Sequence, residues 1–283
     1  MAIAESCADL LVEIMHNYSK EFIKLIEKID YRKRVYEKFT DFCHLAFYSL
    51  ANSVYKLDNF EQKYMSVVNQ YSREDANNFA KLLGITVAAL ERNPDQDFLG
   101  QIYMELEIGN PQSGQYFSPY TLAEAMAKLN CQGIDEIIQE KGYLTAQESA
   151  CGSGTMIIAL RNLMVSKGYG VNNLFVQCID IDFLCFCMCY IQLSLLGVAG
   201  EIIHGNSLSG EHYLSVFTVP YFASQFPLVH QAQKIFKTLS QANKTEKIRE
   251  VEKVKETKSE KAKMKELDVP KQLSLFDLTD SCK

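Results

Sequence analysis

Glu148-Ser149-Ala150-Cys151-Gly152-Ser153-Gly154-Thr155 decides how the rest of the chain is read. Upstream, Tyr143 to Glu148 has the length and composition of a strand. Downstream, Thr155 to Lys167 carries apolar residues at helical spacing. The segment therefore lies where a strand passes into a helix. Gly152 and Gly154 carry no side chains, so a ligand can come close to the backbone there. The first turn of the following helix adds N–H groups with no partner inside the helix. The plain alternative is an ordinary glycine-containing connection. A phosphate loop is another, although the Lys-Ser/Thr ending of a P-loop and the full spacing of a dinucleotide fingerprint are both absent.

Further along, Leu174 to Asp180 reads as a second strand, Phe183 to Leu196 as a helix, Ala199 to His204 as a third strand and Tyr213 to Val219 as a fourth. Strands alternating with helices predict an α/β architecture with a parallel sheet and covering helices. Asp180 ends the second strand some 26 residues after Gly154. A carboxylate at that place accepts hydrogen bonds from ribose hydroxyls; the competing role is a helix cap or a solvated turn. Asp182 is placed to cap the next helix. Phe183 to Ala199 is the most apolar run, slightly short of the roughly 20 residues a membrane span needs. It contains Gln192 and directly follows Ile179-Asp180-Ile181-Asp182, so a buried helix against the sheet is expected. Cys185, Cys187 and Cys189 would spread around that helix, and no metal site is expected from them.

The region before the sheet reads differently. Residues 1–94 repeat apolar positions at helical spacing with almost no Gly or Pro, and Ser72 with Asp75 marks a helix start. Asn93-Pro94-Asp95 breaks the pattern, and a helix from Asp97 to Glu107 ends at Gly109-Asn110-Pro111. Three regions are expected: an all-helical N-terminal domain over 1–94, an α/β domain over 95–230, and a charged tail over 231–283. Lys244 to Glu266 in that tail is a solvated helix or a disordered linker. Of the 283 residues 47% are hydrophobic, enough for a sizeable core, while the net charge of -6 does not suggest nucleic acid. DNA contact would need a local basic patch or a partner. Nine cysteines and a start that already carries Glu5, Asp9 and Glu13 suggest a reduced, cytoplasmic protein.

Glu148 to Thr155 resembles the acidic-Pro-Ala-Cys-Gly-Ser-Gly segment of adenine-specific DNA methyltransferases, the modification subunits of type I restriction-modification systems, with Ser149 in place of Pro. Gly114-Gln115-Tyr116-Phe117-Ser118-Pro119 is similar to the family's Gly-Gln-Phe/Tyr-Phe-Thr-Pro segment. His204-Gly205-Asn206-Ser207-Leu208 resembles its His-Gly-Asp/Asn-Ser/Thr-Leu turn. These segments occur in the family's order, and the likeness covers about residues 95–222. It implies a Rossmann-like methyltransferase sheet, S-adenosylmethionine as cofactor and DNA as substrate. By that resemblance Tyr116, Phe117, Ser118 and Pro119 hold the methionine end of the cofactor. Glu148, Ala150, Cys151, Gly152, Ser153 and Gly154 form the turn beneath it. Asp180 and Ile181 meet the ribose side, and Asn206 and Ser207 lie near the adenine.

The family's next element is Asn/Asp-Pro-Pro-Tyr/Phe at the end of the fourth strand, which receives the target amino group and stacks on the extruded base. At the matching distance stand Thr218, Val219, Pro220 and Tyr221. The resemblance makes these the catalytic residues, with Thr218 where Asn is expected and Val219 replacing the first Pro. A full sheet of this family has about three further strands, so the fold is expected to be truncated. Another methyltransferase or specificity subunit is a candidate partner. The competing expectation is a weak or inactive accessory subunit of a phage or plasmid modification system. Gln272, Leu273, Leu275 and Phe276 resemble the short peptide by which replication and repair proteins bind the DNA sliding clamp; the alternative is a tail folding back on its own core.

Overall fold

A helix that is apolar around its whole circumference organises the structure. Residues Leu184 to Leu193 are all buried in α9 (Phe183–Leu195), as a helix covered on every side must be. In the computed structural model, which describes residues 18–107, 117–130 and 132–235, α9 packs against strands on one side and against α2 (Val35–Tyr55) on the other. The chain divides into two compact units, Met1–Pro227 and Leu228–Lys283.

Before the sheet come α1 (residues 18–28), α2, α3 (Asp58–Val68), α4 (Arg73–Arg92) and α5 (Phe98–Glu107). Phe22, Phe39, Phe42, Phe47 and Phe98 are fully or almost fully buried among them. Ser72 starts α4 as expected, its hydroxyl accepting from the Asp75 N–H at 3.1 Å. Then follow α6 (Tyr120–Asn130) and α7 (Ile134–Lys141), and the sheet begins.

Among the described residues the sheet has four strands in the order β1-β2-β3-β4. β1 (Leu144–Glu148), β2 (Leu174–Asp180) and β3 (Ala199–Asn206) run parallel, joined through α8 (Thr155–Ser166) and α9. Leu174, Val176, Cys178, Ile202 and Val216 form its buried face beneath those helices. The other face carries Gln147, Gln177 and Glu201 side by side, with the Gln177 amide donating to Glu201 at 2.9 Å.

β4 (Glu211–Phe217) corrects the expectation of a wholly parallel sheet, because it runs antiparallel to β3. Only Ser207 to Gly210 separate the two strands. A parallel return needs a crossover of a dozen or more residues, and a turn of this length permits only a hairpin. Asn206 and Gly210 shape that turn: the Asn206 side chain accepts from the Leu208 and Ser209 N–H groups, and Gly210 takes φ +75°. The fourth strand therefore ends at the amino edge of the parallel strands. There Phe217 pairs with Glu201 and donates its N–H to the Tyr55 hydroxyl.

Candidate functional site

The connections after β1 and β2 and the turn after β3 meet at the carboxyl edge of the sheet, where Asp180 pairs with His204. In open α/β sheets this is the edge at which ligands bind. Cys151, Gly152, Ser153 and Gly154 form the turn from β1 into α8. Gly152 adopts φ +54° and Gly154 φ +98°, a region that side chains with a Cβ rarely enter. Space is lacking as well. A Cβ on Gly152 would lie 2.9 Å from the Phe117 ring, and one on Gly154 would lie 3.2 Å from the Cys189 sulfur. The free thiols of Cys151, Cys178 and Cys189 are buried in the same core cluster.

Asp180 faces this turn and accepts the Gly152 N–H at 2.8 Å on Oδ2 and the Asp182 N–H at 2.9 Å on Oδ1. Each carboxylate oxygen keeps a lone pair for a further donor. Burial raises the pKa of Asp180 above the ordinary carboxylate value, against the lowering effect of these two backbone hydrogen bonds. Asp182 caps α9, accepting from the Leu184 and Cys185 N–H groups at 2.7 and 3.2 Å. The two neighbouring acids thus separate into one facing the turn and one serving a helix end.

A cavity of about 370 Å³ lies over the turn, within the range of small-molecule sites. Phe117, Ser118, Glu148, Ala150, Cys151, Gly152 and Asp180 line it. No Lys or Arg is among the described residues that line it, and the Gly152 N–H is already held by Asp180. A phosphate would meet two carboxylates there, so the lining suits a neutral or cationic ligand. A second cavity of about 490 Å³ adjoins it through Phe117 and Ser118 and also touches Pro119. Ile181 is 61% exposed at the same edge. Asn206 ends β3 there, with its side chain committed to the hairpin turn, and Ser207 is exposed beside it. Tyr116 lies outside the described residues, as do Gln272, Leu273, Leu275 and Phe276.

Thr218, Val219, Pro220 and Tyr221 are not brought to this site. Thr218 is 0% exposed and donates its hydroxyl to Val198 O at 2.7 Å, while it accepts the Gly200 N–H at 3.0 Å. Those partners flank the start of β3, and four strand residues, about 13 Å, separate Gly200 from the level of Asp180 and His204. Val219 and Pro220 start the short helix α10 (Val219–Ala223). The Tyr221 ring stacks on Phe217 at 4.1 Å between centroids and is buried with Ala199 and Phe226. The catalytic expectation for these four residues is therefore corrected by topology: the hairpin delivers them to the opposite edge.

Two buried residues that the motif reading passed over hold the turn. The Asp97 carboxylate, at the start of α5, accepts hydrogen bonds from the Ser153 and Thr155 hydroxyls, from Gln192 Nε2 at 2.8 Å and from the Gly100 N–H at 2.9 Å. Gln192 in α9 also donates to Ser153 O at 2.9 Å and accepts the Leu99 N–H at 3.0 Å. The helical region, the turn and α9 are thereby joined in one polar knot. The available signal was a Gln inside the most apolar run of the chain, since a buried amide needs partners.

Residues 95–264 match the family model described as N-6 DNA Methylase, well over half of the chain. The chain belongs to the N-6 DNA methylase family. No curated protein matches this methylase chain. Among solved structures it is similar to a Listeria monocytogenes protein assigned as a class I S-adenosylmethionine-dependent methyltransferase, at 14% identity and a TM-score of 0.37, over 65% of this chain and 52% of that one. It is also similar to a chain of the DrdV–DNA complex, at 15% identity and a TM-score of 0.35, over 69% and 22%. A third is the type I restriction-modification methyltransferase subunit of Streptococcus thermophilus, at 11% identity and a TM-score of 0.32, over 66% and 56%. The methylase chain thus spans little more than half the length of these structures, or less.

S-adenosylmethionine is the cofactor of this family. The turn has no Cβ where a nucleoside would lie, Asp180 has acceptor capacity for hydroxyls, and the acidic lining suits a sulfonium cation. The residues present fit the group.

Proposed function

We propose that this chain is the cofactor-holding part of a DNA adenine-N6 methylation system of the restriction-modification kind. The observation that carries the reading is the glycine turn at the carboxyl edge of the parallel strands with the Asp180 carboxylate closing on it. When bound, S-adenosylmethionine supplies an electrophilic methyl group. The residues of this chain orient it: Gly152 and Gly154 offer bare backbone, Asp180 accepts from the ribose, Phe117 and Ser118 border the methionine end, and Asn206 ends the strand beside the adenine. Among the described residues, Thr218 to Tyr221, the segment expected to receive the base, stand at the other edge. On this reading the adenine amino group is received outside the described residues, by a partner subunit, and binding without turnover is expected of this chain by itself.

Calorimetry with S-adenosylmethionine and methyl incorporation into unmethylated mixed-sequence DNA test this together. Binding with background incorporation is expected. Transfer to DNA adenine by the chain alone would show that the amino group is received within it. Absence of binding would remove the cofactor reading.

Asp180 gives the site a pH dependence. Its folded-state pKa is raised by burial, so its proton returns at a higher pH than for an exposed carboxylate. A protonated carboxyl keeps less acceptor capacity for ribose hydroxyls. Cofactor affinity should therefore weaken on acidification before exposed carboxylates titrate, and Asp180→Asn should bind more weakly with a flatter profile. An unchanged profile in the variant would assign the dependence to another group.

We also propose that Gln272 to Phe276, outside the described residues, tether the chain to a sliding clamp. Replacing Leu275 and Phe276 by Ala should abolish retention on immobilised clamp; full retention would place any contact elsewhere.

A further inference from the structure

Asp97 is only 3% exposed, and among the described residues no Lys or Arg pairs with it. A buried carboxylate normally finds a cation or several hydrogen bonds. This one has the hydrogen bonds alone. Its Oδ1 accepts from Gly100 N and Gln192 Nε2, and its Oδ2 accepts from the Ser153 and Thr155 hydroxyls. Room is kept for this arrangement, because a Cβ on Gly100 would lie 2.1 Å from Asp97 Oδ2. Ordinary capping of α5 would need only the Gly100 contact. The other three donors come from the cofactor turn and from α9, so the carboxylate serves more than its own helix.

The cavities on either side of this carboxylate carry the same sign. Asp97 and Glu105 line the larger one, and Glu148 and Asp180 line the one over the turn; neither has a Lys or Arg among its described lining residues. Thr155 borders the cavity over the turn and donates to Asp97 behind it. An uncompensated charge in a partly dry wall acts at an effective dielectric well below that of water. A ligand with a cationic sulfur centre gains from that field. The same ligand after loss of its methyl, a neutral thioether, does not.

We propose that Asp97 is a specificity-determining residue of the cofactor site: it positions the Ser153–Thr155 turn and supplies the negative charge by which the pocket favours a sulfonium over the thioether product. The inference rests on the cofactor reading above and adds a discrimination to it.

The test compares binding of S-adenosylmethionine, S-adenosylhomocysteine and sinefungin, the analogue with a protonated amine where the methyl stands, by calorimetry. Wild type should bind the two cations more tightly than the thioether. Asp97→Asn should weaken binding of both cations roughly tenfold, the scale of one partly buried charge, while the thioether changes about twofold or less. Ser153→Ala keeps the charge and loses one hydrogen bond, so it should weaken all three ligands alike. An unchanged ratio in a folded Asp97→Asn protein would overturn the proposal. So would a wild-type chain that binds the thioether as tightly as both cations, a result that needs no variant to fold. Wild type binding none of the three would remove the cofactor reading itself, and this inference with it.

Discussion

Gly152→Asp should leave the chain folded and reduce its affinity for S-adenosylmethionine by on the order of 100-fold, about 2.8 kcal/mol. Three effects add in one direction. Gly152 takes φ +54°, and a residue with a Cβ is disfavoured there by roughly 1–2 kcal/mol; Asp tolerates the region better than most, so the lower end applies. Next, the new Cβ would start 2.9 Å from Phe117, and the ring that borders the cavity would have to move. Finally, the added carboxylate would enter a space already lined by Glu148 and Asp180, and burial already disfavours the charge on Asp180. The Gly152 N–H that Asp180 holds at 2.8 Å would shift with the backbone. Calorimetry gives the affinity, and circular dichroism gives the helical content that must persist. Gly170→Ala serves as a control, since a Cβ there meets nothing within 4 Å. Wild-type affinity in the Gly152 variant would show that the ligand does not lie over this turn.

The second large effect is expected at Thr218. Thr218→Val removes a hydroxyl that donates to Val198 O and accepts from Gly200 N in a fully buried position. Leaving these buried groups without that partner costs about 1–3 kcal/mol, to be read from the midpoint of urea unfolding. Thr218→Asn restores the residue that the family's loop carries, yet it should not raise methyl transfer. It places a larger amide at a fully buried position, which costs about 1–3 kcal/mol by overpacking. A gain in methyl incorporation with Thr218→Asn would mean that this segment reaches the carboxyl edge, and the hairpin topology would then be wrong for the working protein.

These two positions show why one motif was legible in the sequence and the other was not. The turn at 151–154 is defined by local backbone needs: glycine where φ is positive, a strand before it and a helix after it. Asp180 follows at the end of the next strand, and the short β-α-β connection forces both to the same edge. Each of those steps depends on neighbours in sequence, and so does the capping by Asp182. The Thr-Val-Pro-Tyr segment is recognised only by its distance from the preceding motif, which says nothing about strand direction. The information was present in another form, because the short stretch after His204 cannot make a parallel crossover.

The amino-acid sequence by itself determined the alternating elements, the glycine turn, the acid opposite it and the wholly buried α9, since these follow from periodicity, backbone conformation and short-range connectivity. The tertiary structure alone decided which edge Thr218 to Tyr221 reach, and that Asp97 and Gln192 close on the turn from 56 and 39 residues away. The physical reason is that strand direction and buried polar pairing are settled between segments. A carboxylate at a helix start looks the same in sequence whether it meets water or the hydroxyls of Ser153 and Thr155.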